Sequence, residues 1–292
     1  MNFDKGFEHI VKRDEPLAVH TWFHLGGPAQ FFAEPTNSDE LQQLVRRARE
    51  ENLPVRVLGG GSNILVRDDG VSGLVIRLGA DAFAQIALAK RVLTAGGGAK
   101  LGQAISTSVR EGLAGLEALV GIPGTIGGAL HGNAGSRGGD IGQWTCQATV
   151  MTRAGEVIER SREELVFAYR ESSLDDLVIL SAKFELEAED PEVLTKRMQK
   201  QWIVKKASQP LGHQSAGCIF KNPRGMSAGM LIEQVGLKGT RVGQAEVSDR
   251  HANFIVAEQG ATSDDVLRLI EQMRERVSER LGIELETEIE VW

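Results

Sequence analysis

The sequence predicts an α+β fold, and three observations carry the prediction. Strand-like and helix-like segments alternate along the first third, glycines cluster where strand-like segments end, and a length of 292 residues suits about two domains. Hydrophobic residues make up 41% and charged residues 25%, the balance of an ordinary folded protein whose core needs no disulfide or metal staples. Glycine is the outlier at 34 residues, about 12% against a usual ~7%.

Each element has a local reason. Asn37 or Ser38 caps a helix whose apolar positions Leu41, Leu44, Val45 and Ala48 share one face. Pro54 opens a β-branched strand, Val55-Arg56-Val57-Leu58, which runs into Gly59-Gly60-Gly61-Ser62-Asn63. Strands at residues 74–78 and 92–95 follow, the second closing on Gly96-Gly97-Gly98. A helix over about 100–111 ends at Gly112, a residue suited to a left-handed cap. Beyond a glycine-rich run come strands near 148–152 and 178–186. A helix over about 191–202 then opens at Asp190-Pro191, the candidate domain boundary. Thr262-Ser263-Asp264-Asp265 caps a helix with Val266, Leu269, Ile270, Met273 and Val277 on one stripe. A strand over 283–291 ends the sequence, placing Glu284, Glu286, Glu288 and Glu290 in a row on one face. No internal repeat or low-complexity segment is present.

A net charge of −7 and a pI of about 5.5 disfavour nucleic acids and anionic membranes as partners. Cys146 and Cys218 have no near neighbours and no metal-ligand spacing, a usage that suits a reducing compartment. His20 and His24 stand four apart, but no helical pattern and no third ligand accompany them, so no metal site is expected. The first 16 residues lack the apolar core of a signal peptide, and the expectation is a cytoplasmic protein. The longest stretch free of Asp, Glu, Lys and Arg, residues 118–136, contains six glycines and Pro123. That composition predicts buried loops and turns rather than a membrane span.

The glycine loops carry the chemical signal. Gly59-Gly60-Gly61-Ser62-Asn63 joins two apolar strands, where main-chain N–H groups can nest a diphosphate. It is neither a Walker loop, lacking a following Gly-Lys-Ser/Thr, nor the dinucleotide fingerprint, since a strand follows it. A second run, Gly121-Ile122-Pro123-Gly124-Thr125-Ile126-Gly127-Gly128-Ala129, continues to Asn133-Ala134-Gly135. Two such loops, with Gly96-Gly97-Gly98 as a candidate third, point to a large diphosphate-bearing cofactor.

These loops resemble the flavin-binding loops of the UDP-N-acetylmuramate dehydrogenase family, also called UDP-N-acetylenolpyruvoylglucosamine reductases. Similar segments recur in the family's order at Gly26-Gly27-Pro28-Ala29, Tyr169-Arg170-Glu171-Ser172 and Ala216-Gly217-Cys218-Ile219-Phe220-Lys221-Asn222-Pro223. They continue through Ala228-Gly229-Met230-Leu231-Ile232-Glu233, Gly236-Leu237-Lys238-Gly239 and His251-Ala252-Asn253-Phe254 to Leu285-Glu286-Thr287-Glu288.

The resemblance implies a two-lobed FAD-binding domain of the vanillyl-alcohol-oxidase type over 17–187, and a C-terminal α+β substrate-binding domain over 188–292. It implies that NADPH reduces a non-covalent FAD, whose N5 then delivers hydride to the enolpyruvyl group of a UDP-sugar. Arg170 and Glu288 take the places of the family's catalytic arginine and glutamate. Cys218 stands where most members carry the proton-donating serine, and a thiol with a reference pKa near 8.5 can fill that role. The same matching assigns Gly59, Gly60, Gly61, Ser62, Asn63, Gly121, Pro123, Gly124, Thr125, Gly127, Gly128, Asn133, Ala134 and Gly135 to the cofactor. Tyr169, Asn222, Lys238 and His251 go to the substrate. Tyr169 is the only tyrosine, and a short segment separates Arg170 from the strand at Val178. The expectation is therefore the family's short form, without the inserted loop that brings a tyrosine over the substrate. Taken alone, the glycine loops also suit another FAD-dependent oxidoreductase of this fold, or a non-catalytic nucleotide-binding protein. The sequence assigns no oligomeric state.

Overall fold

The computed structural model describes residues 3–136 and 138–292. The chain forms two compact units that alternate along the sequence. One holds the N-terminal segment up to Asp14, Gln30–Gly60 and Ser72–Ile203; the other holds Glu15–Ala29, Gly61–Val71 and Val204–Trp292. Helices and strands occur in both, as the α+β reading predicts.

The first unit is organised around two sheets. A four-stranded sheet runs in the order Val11–Pro16, Pro28–Ala33, Val71–Arg77, Val55–Leu58. Its last pair is parallel, in register from Val55↔Leu74 to Leu58↔Arg77. Helix α1 (Ser38–Glu50) starts where predicted, because Asn37 accepts the Glu40 amide at 3.0 Å. Its buried Leu41, Leu44, Val45 and Ala48 share a core with Phe31, Leu74 and Ile76. Each buried leucine is worth about 1.5–3 kcal/mol, enough to hold a helix whose other faces are polar.

The second sheet orders Val157–Ser161, Thr145–Met151, Val178–Glu185, Val92–Gly96 and Ile86–Ala89, every pair antiparallel. Helices α2 (Leu101–Arg110) and α3 (Ile126–His131) pack on it, burying Ala104, Ile105, Ile126 and Leu130 with Leu93, Ala148, Ala182 and Phe184. Gly112, at φ +70°, follows α2 in the left-handed conformation predicted for it. The charge-free stretch thus contains a short helix as well as turns. Helix α4 (Pro191–Ser208) runs six residues past its predicted end and carries the chain from the first unit into the second.

In the second unit, α5 (Ala228–Gln234) and α6 (Ser263–Leu281) share a core with a three-stranded sheet, Arg241–Val242, Ala245–Val247, Ile255–Ala257. The capping box forms between Thr262 and Asp265, and Gly282 closes α6 in the left-handed conformation. A parallel pair joins Ile64–Leu65 to Glu290–Val291.

The terminal strand differs from expectation. Only Glu290–Val291 forms a strand; Thr287 makes an isolated antiparallel bridge to Phe220, and the continuous strand over 283–291 does not form. Glu284 accepts the Ser278 hydroxyl at 2.5 Å, Glu286 pairs with Lys221 at 2.6 Å, and Leu285 and Ile289 are buried between them. The buried leucine and isoleucine dictate the path, with each glutamate drawn to its own partner. Among the described residues, no helix is long and apolar enough to cross a membrane.

Candidate functional site

The first two glycines of the 59–63 loop end the strand Val55–Leu58 and meet the second glycine run at main-chain distance. A Cβ on Gly60 would lie 2.8 Å from Gly124 Cα, and one on Gly59 would lie 2.8 Å from Thr125 Oγ1. These glycines are therefore required first by the packing of loop on loop, ahead of any ligand. Gly124, at φ +118°, turns the chain into Thr125, which caps α3 by accepting the Gly128 amide at 3.4 Å. Gly128 itself is exposed. No Asp or Glu occurs in residues 56–67 or 118–136, so neither loop carries a carboxylate of its own.

The third glycine run has a different role. Gly96, Gly97 and Gly98 donate their amides to Gln85 O, Leu180 O and Phe83 O at 2.7–2.9 Å. In return, Gly97 O and Ala99 O accept the first two amides of α3 at 2.8 Å. The run is the floor on which α3 stands, and its donors face the protein. The expectation of a third diphosphate loop is corrected accordingly.

Arg170 sits on a two-residue hairpin turn. Phe167–Ala168 pairs antiparallel with Glu171–Ser172, leaving Tyr169 and Arg170 as the loop. Arg170 has φ +61°, a conformation that costs a non-glycine residue about 1 kcal/mol and persists where surroundings impose it. Its Nη1 donates to Gly135 O at 3.1 Å, and its guanidinium carbon lies 5.4 Å from the exposed Tyr169 ring. Ser172 Oγ donates to His131 O at 2.9 Å. Asn133 is 3% exposed, its Nδ2 donating to Ala168 O at 2.7 Å and its Oδ1 accepting the Gly142 amide at 3.1 Å. Its side chain is therefore engaged within the protein. Between Glu171–Ser172 and Val178–Glu185 lie only residues 173–177, so no folded insertion follows the turn.

In the second unit, main-chain hydrogen bonds join the segments that carry Cys218 and Glu288. Phe220 and Thr287 form an antiparallel bridge, and Lys221 N donates to Glu286 O at 2.8 Å. Ile219 O accepts two amides, Glu288 N at 2.8 Å and Ile289 N at 3.4 Å. Two amides on one carbonyl are the mark of a β-bulge, a device that re-aims side chains and recurs beside active sites. Cys218 and Glu288 both lie half-buried at this bulge. Asn63 secures it from the glycine-loop side, its Nδ2 donating to Glu288 O and its carbonyl accepting Glu290 N, each at 3.0 Å. Gly217 approaches Ser62 here: a Cβ on it would lie 4.0 Å from Ser62 O. Gly61, Ser62, Asn63, Cys218 and Glu288 thus belong to one unit, whereas Gly59, Gly60, residues 121–135, Tyr169 and Arg170 belong to the other.

The remaining predicted residues are dispersed through the second unit. Asn222 Oδ1 accepts the first amide of α5 at 3.0 Å, and Lys238 pairs with Glu233 at 2.8 Å. His251 packs edge-on against Phe254, its Nδ1 accepting the Asn253 amide at 3.3 Å. Burial, and then the Lys238 charge, push its pKa below the ordinary 6.5, so the ring is neutral at pH 7.

Two residues escaped the sequence reading. Asn253, 2% exposed, exchanges side-chain hydrogen bonds with both Phe220 N and Phe220 O. Glu117, 5% exposed, accepts the Gly115 amide and the Arg197 guanidinium at 2.6 Å each, bracing the segment that enters the second glycine run. Asn253 was visible within His251-Ala252-Asn253-Phe254; nothing local marked Glu117 as buried.

Comparison with known proteins shows the family the chain resembles. A family described as "FAD binding domain" matches residues 29–161, and "UDP-N-acetylenolpyruvoylglucosamine reductase, C-terminal domain" matches residues 209–292. The chain is 43% identical over 284 residues to UDP-N-acetylenolpyruvoylglucosamine reductase 2 of Symbiobacterium thermophilum, covering 97% of this chain and 92% of that protein. It is 40% identical to the Rhodopirellula baltica reductase, covering 99% and 95%. The crystal structure of the Thermus caldophilus reductase superposes with a TM-score of 0.83 at 39% identity, over 97% of this chain and 98% of that one.

Proposed function

The chain belongs to the UDP-N-acetylenolpyruvoylglucosamine reductase family, and from that membership we propose how its residues divide the reaction. It is an FAD-containing oxidoreductase that reduces the enolpyruvyl group of UDP-N-acetylglucosamine enolpyruvate to UDP-N-acetylmuramate, a step of peptidoglycan precursor synthesis. Held non-covalently, FAD would supply the hydride chemistry that couples oxidation of NADPH to reduction of the enolpyruvyl double bond.

Main-chain amides of Gly59, Gly60, Gly124 and Thr125 hold the FAD diphosphate. Arg170 neutralises the substrate carboxylate as enolate charge develops, and its imposed turn aims the guanidinium in advance. Glu288 supports the same charge in a protonated or hydrogen-bonded form. Cys218 gives its Sγ proton to the carbon next to the carboxylate, completing the reduction. Tyr169, Asn222, Lys238 and His251 contact the substrate. The FAD-binding portion spans 17–187 and the substrate portion 188–292, a division supported by the two family matches.

One observation supports the assignment of chemistry: the two amides on Ile219 O, which join the segment after Cys218 to the segment of Glu288. The purified protein is expected to be yellow, to bleach on anaerobic NADPH addition, and to regain its colour with the enolpyruvyl substrate. Acid precipitation should release the flavin. A protein that binds FAD but stays reduced in the presence of that substrate would overturn the reading.

A further inference from the structure

We propose that Asn133 is a positioning residue that holds Arg170 in its working place, and that its side chain makes no contact with the cofactor. The inference rests on the reading of Arg170 given above. The Arg170 turn is the only connection between Phe167–Ala168 and Glu171–Ser172, two strands of two residues each. So short a hairpin is marginal by itself, and a turn residue at φ +61° pulls it toward other conformations. Something outside the hairpin must fix it.

Asn133 does so from a buried position. Its Nδ2 takes Ala168 O, the carbonyl directly ahead of the turn, at 2.7 Å. Its Oδ1 takes the Gly142 amide at 3.1 Å, and Gly142 in turn lies so close to the Phe167 ring that no side chain fits between them. Asn133 has φ +40°, a conformation asparagine tolerates better than most residues. The same short segment gives Gly135 O to the guanidinium and His131 O to Ser172. Residues 131–135 therefore grip the arginine turn on both strands, and α3 ties that grip directly to the second glycine run.

Asn133→Asp is the sharpest test. It preserves size, the acceptor toward Gly142 and the backbone tolerance, and replaces the donor to Ala168 with an oxygen. FAD content, read from the visible absorbance of the purified protein, should match wild type. Stopped-flow reduction by NADPH should change less than about twofold, whereas reoxidation by the enolpyruvyl substrate should slow about tenfold or more, with weaker substrate binding. In an Arg170→Ala background the same change should add less than about twofold, since the residue acts through the arginine.

Loss of FAD, equal slowing of both half-reactions, or full slowing in the Arg170→Ala background would each overturn the inference. Arg170→Ala reoxidising at the wild-type rate would instead sink the reading of Arg170. A slow Arg170→Ala beside a normal Asn133→Asp sinks the positioning role alone. If Asn133→Asp is recovered unfolded, Asn133→Ser, whose hydroxyl is too short to reach Ala168 O, is subjected to the same measurements with the same expected pattern.

Discussion

The two units secure the side chains proposed to react by opposite means. Arg170 stands on a closed two-residue turn, in a conformation its type disfavours, fastened by a buried asparagine. Cys218 and Glu288 stand on irregular segments whose common point is one carbonyl accepting two amides, secured by the exposed Asn63. The hydrogen bonds described for the arginine turn come from within 40 residues of it, whereas the bulge joins residues near 63, 219, 253 and 288. On the proposed roles, the group that meets the carboxylate is locked by nearby chain, and the group that releases the proton is held by segments distant in sequence.

The strongest test acts on the second arrangement. Cys218→Ala should leave flavin reduction by NADPH nearly intact and slow reoxidation by the enolpyruvyl substrate ~10²–10⁴-fold, the usual worth of a positioned acid. Cys218→Ser should recover much of that. Unchanged stopped-flow reoxidation in Cys218→Ala would reduce the thiol to packing.

Next comes the locked turn. Arg170→Ala and Arg170→Gly should both slow the same half-reaction by about 10²–10³-fold, as loss of one charge-stabilising donor does. They should separate in stability, because glycine relaxes the φ +61° position: Arg170→Gly should unfold at higher urea, by about 1 kcal/mol relative to Arg170→Ala. Equal midpoints would mean that the turn stores no strain.

Asn63→Ala removes the hydrogen bond to Glu288 O and should destabilise the protein by about 1 kcal/mol. With the bulge still joined through Ile219 O, reoxidation should slow less than with the corresponding change at Asn133. A larger kinetic loss at Asn63 would reverse the contrast between the units.

The smallest effect expected is a pH dependence confined to the second unit. The folded pKa of His251 lies below its ordinary 6.5 because of burial and then Lys238, so the unfolded chain binds the proton more readily. The ring's contribution to stability is complete above pH 6.5 and is lost as pH falls from there toward the lower folded value. Protonation also removes the acceptor for the Asn253 amide, loosening the residue that holds Phe220. His251→Gln should flatten the urea midpoint across that window; a midpoint still falling as in wild type would clear the histidine.

Much of the fold was written in short-range patterns. Asn37, Gly112 and the Thr262–Asp265 box mark helix ends by chemistry acting within one turn, and all three act as predicted. The terminal segment was misread because alternation was the visible signal, while its actual path is set by Ile219, Lys221 and Asn63, more than 60 residues away. Gly96-Gly97-Gly98 looked like a ligand loop because composition does not reveal where amides point. For the same reason the residue types of the site were legible, but not that Asn63 and Asn133 hold main chain with their side chains. The alternation of the two units along the chain has no local signature at all.

The parallel pair of Ile64–Leu65 with Glu290–Val291 has a consequence for how the protein is made. Residues 64–67 leave the ribosome long before residue 292, yet Leu65 O and Arg67 N take their partners in Trp292. Until residues 290–292 have been made, this strand lacks that partner, and pairing so remote in sequence is intrinsically slow. The nascent chain should therefore depend on chaperone shielding, and release of residues 290–292 from the exit tunnel, rather than completion of α6, should set when the second unit becomes resistant to protease.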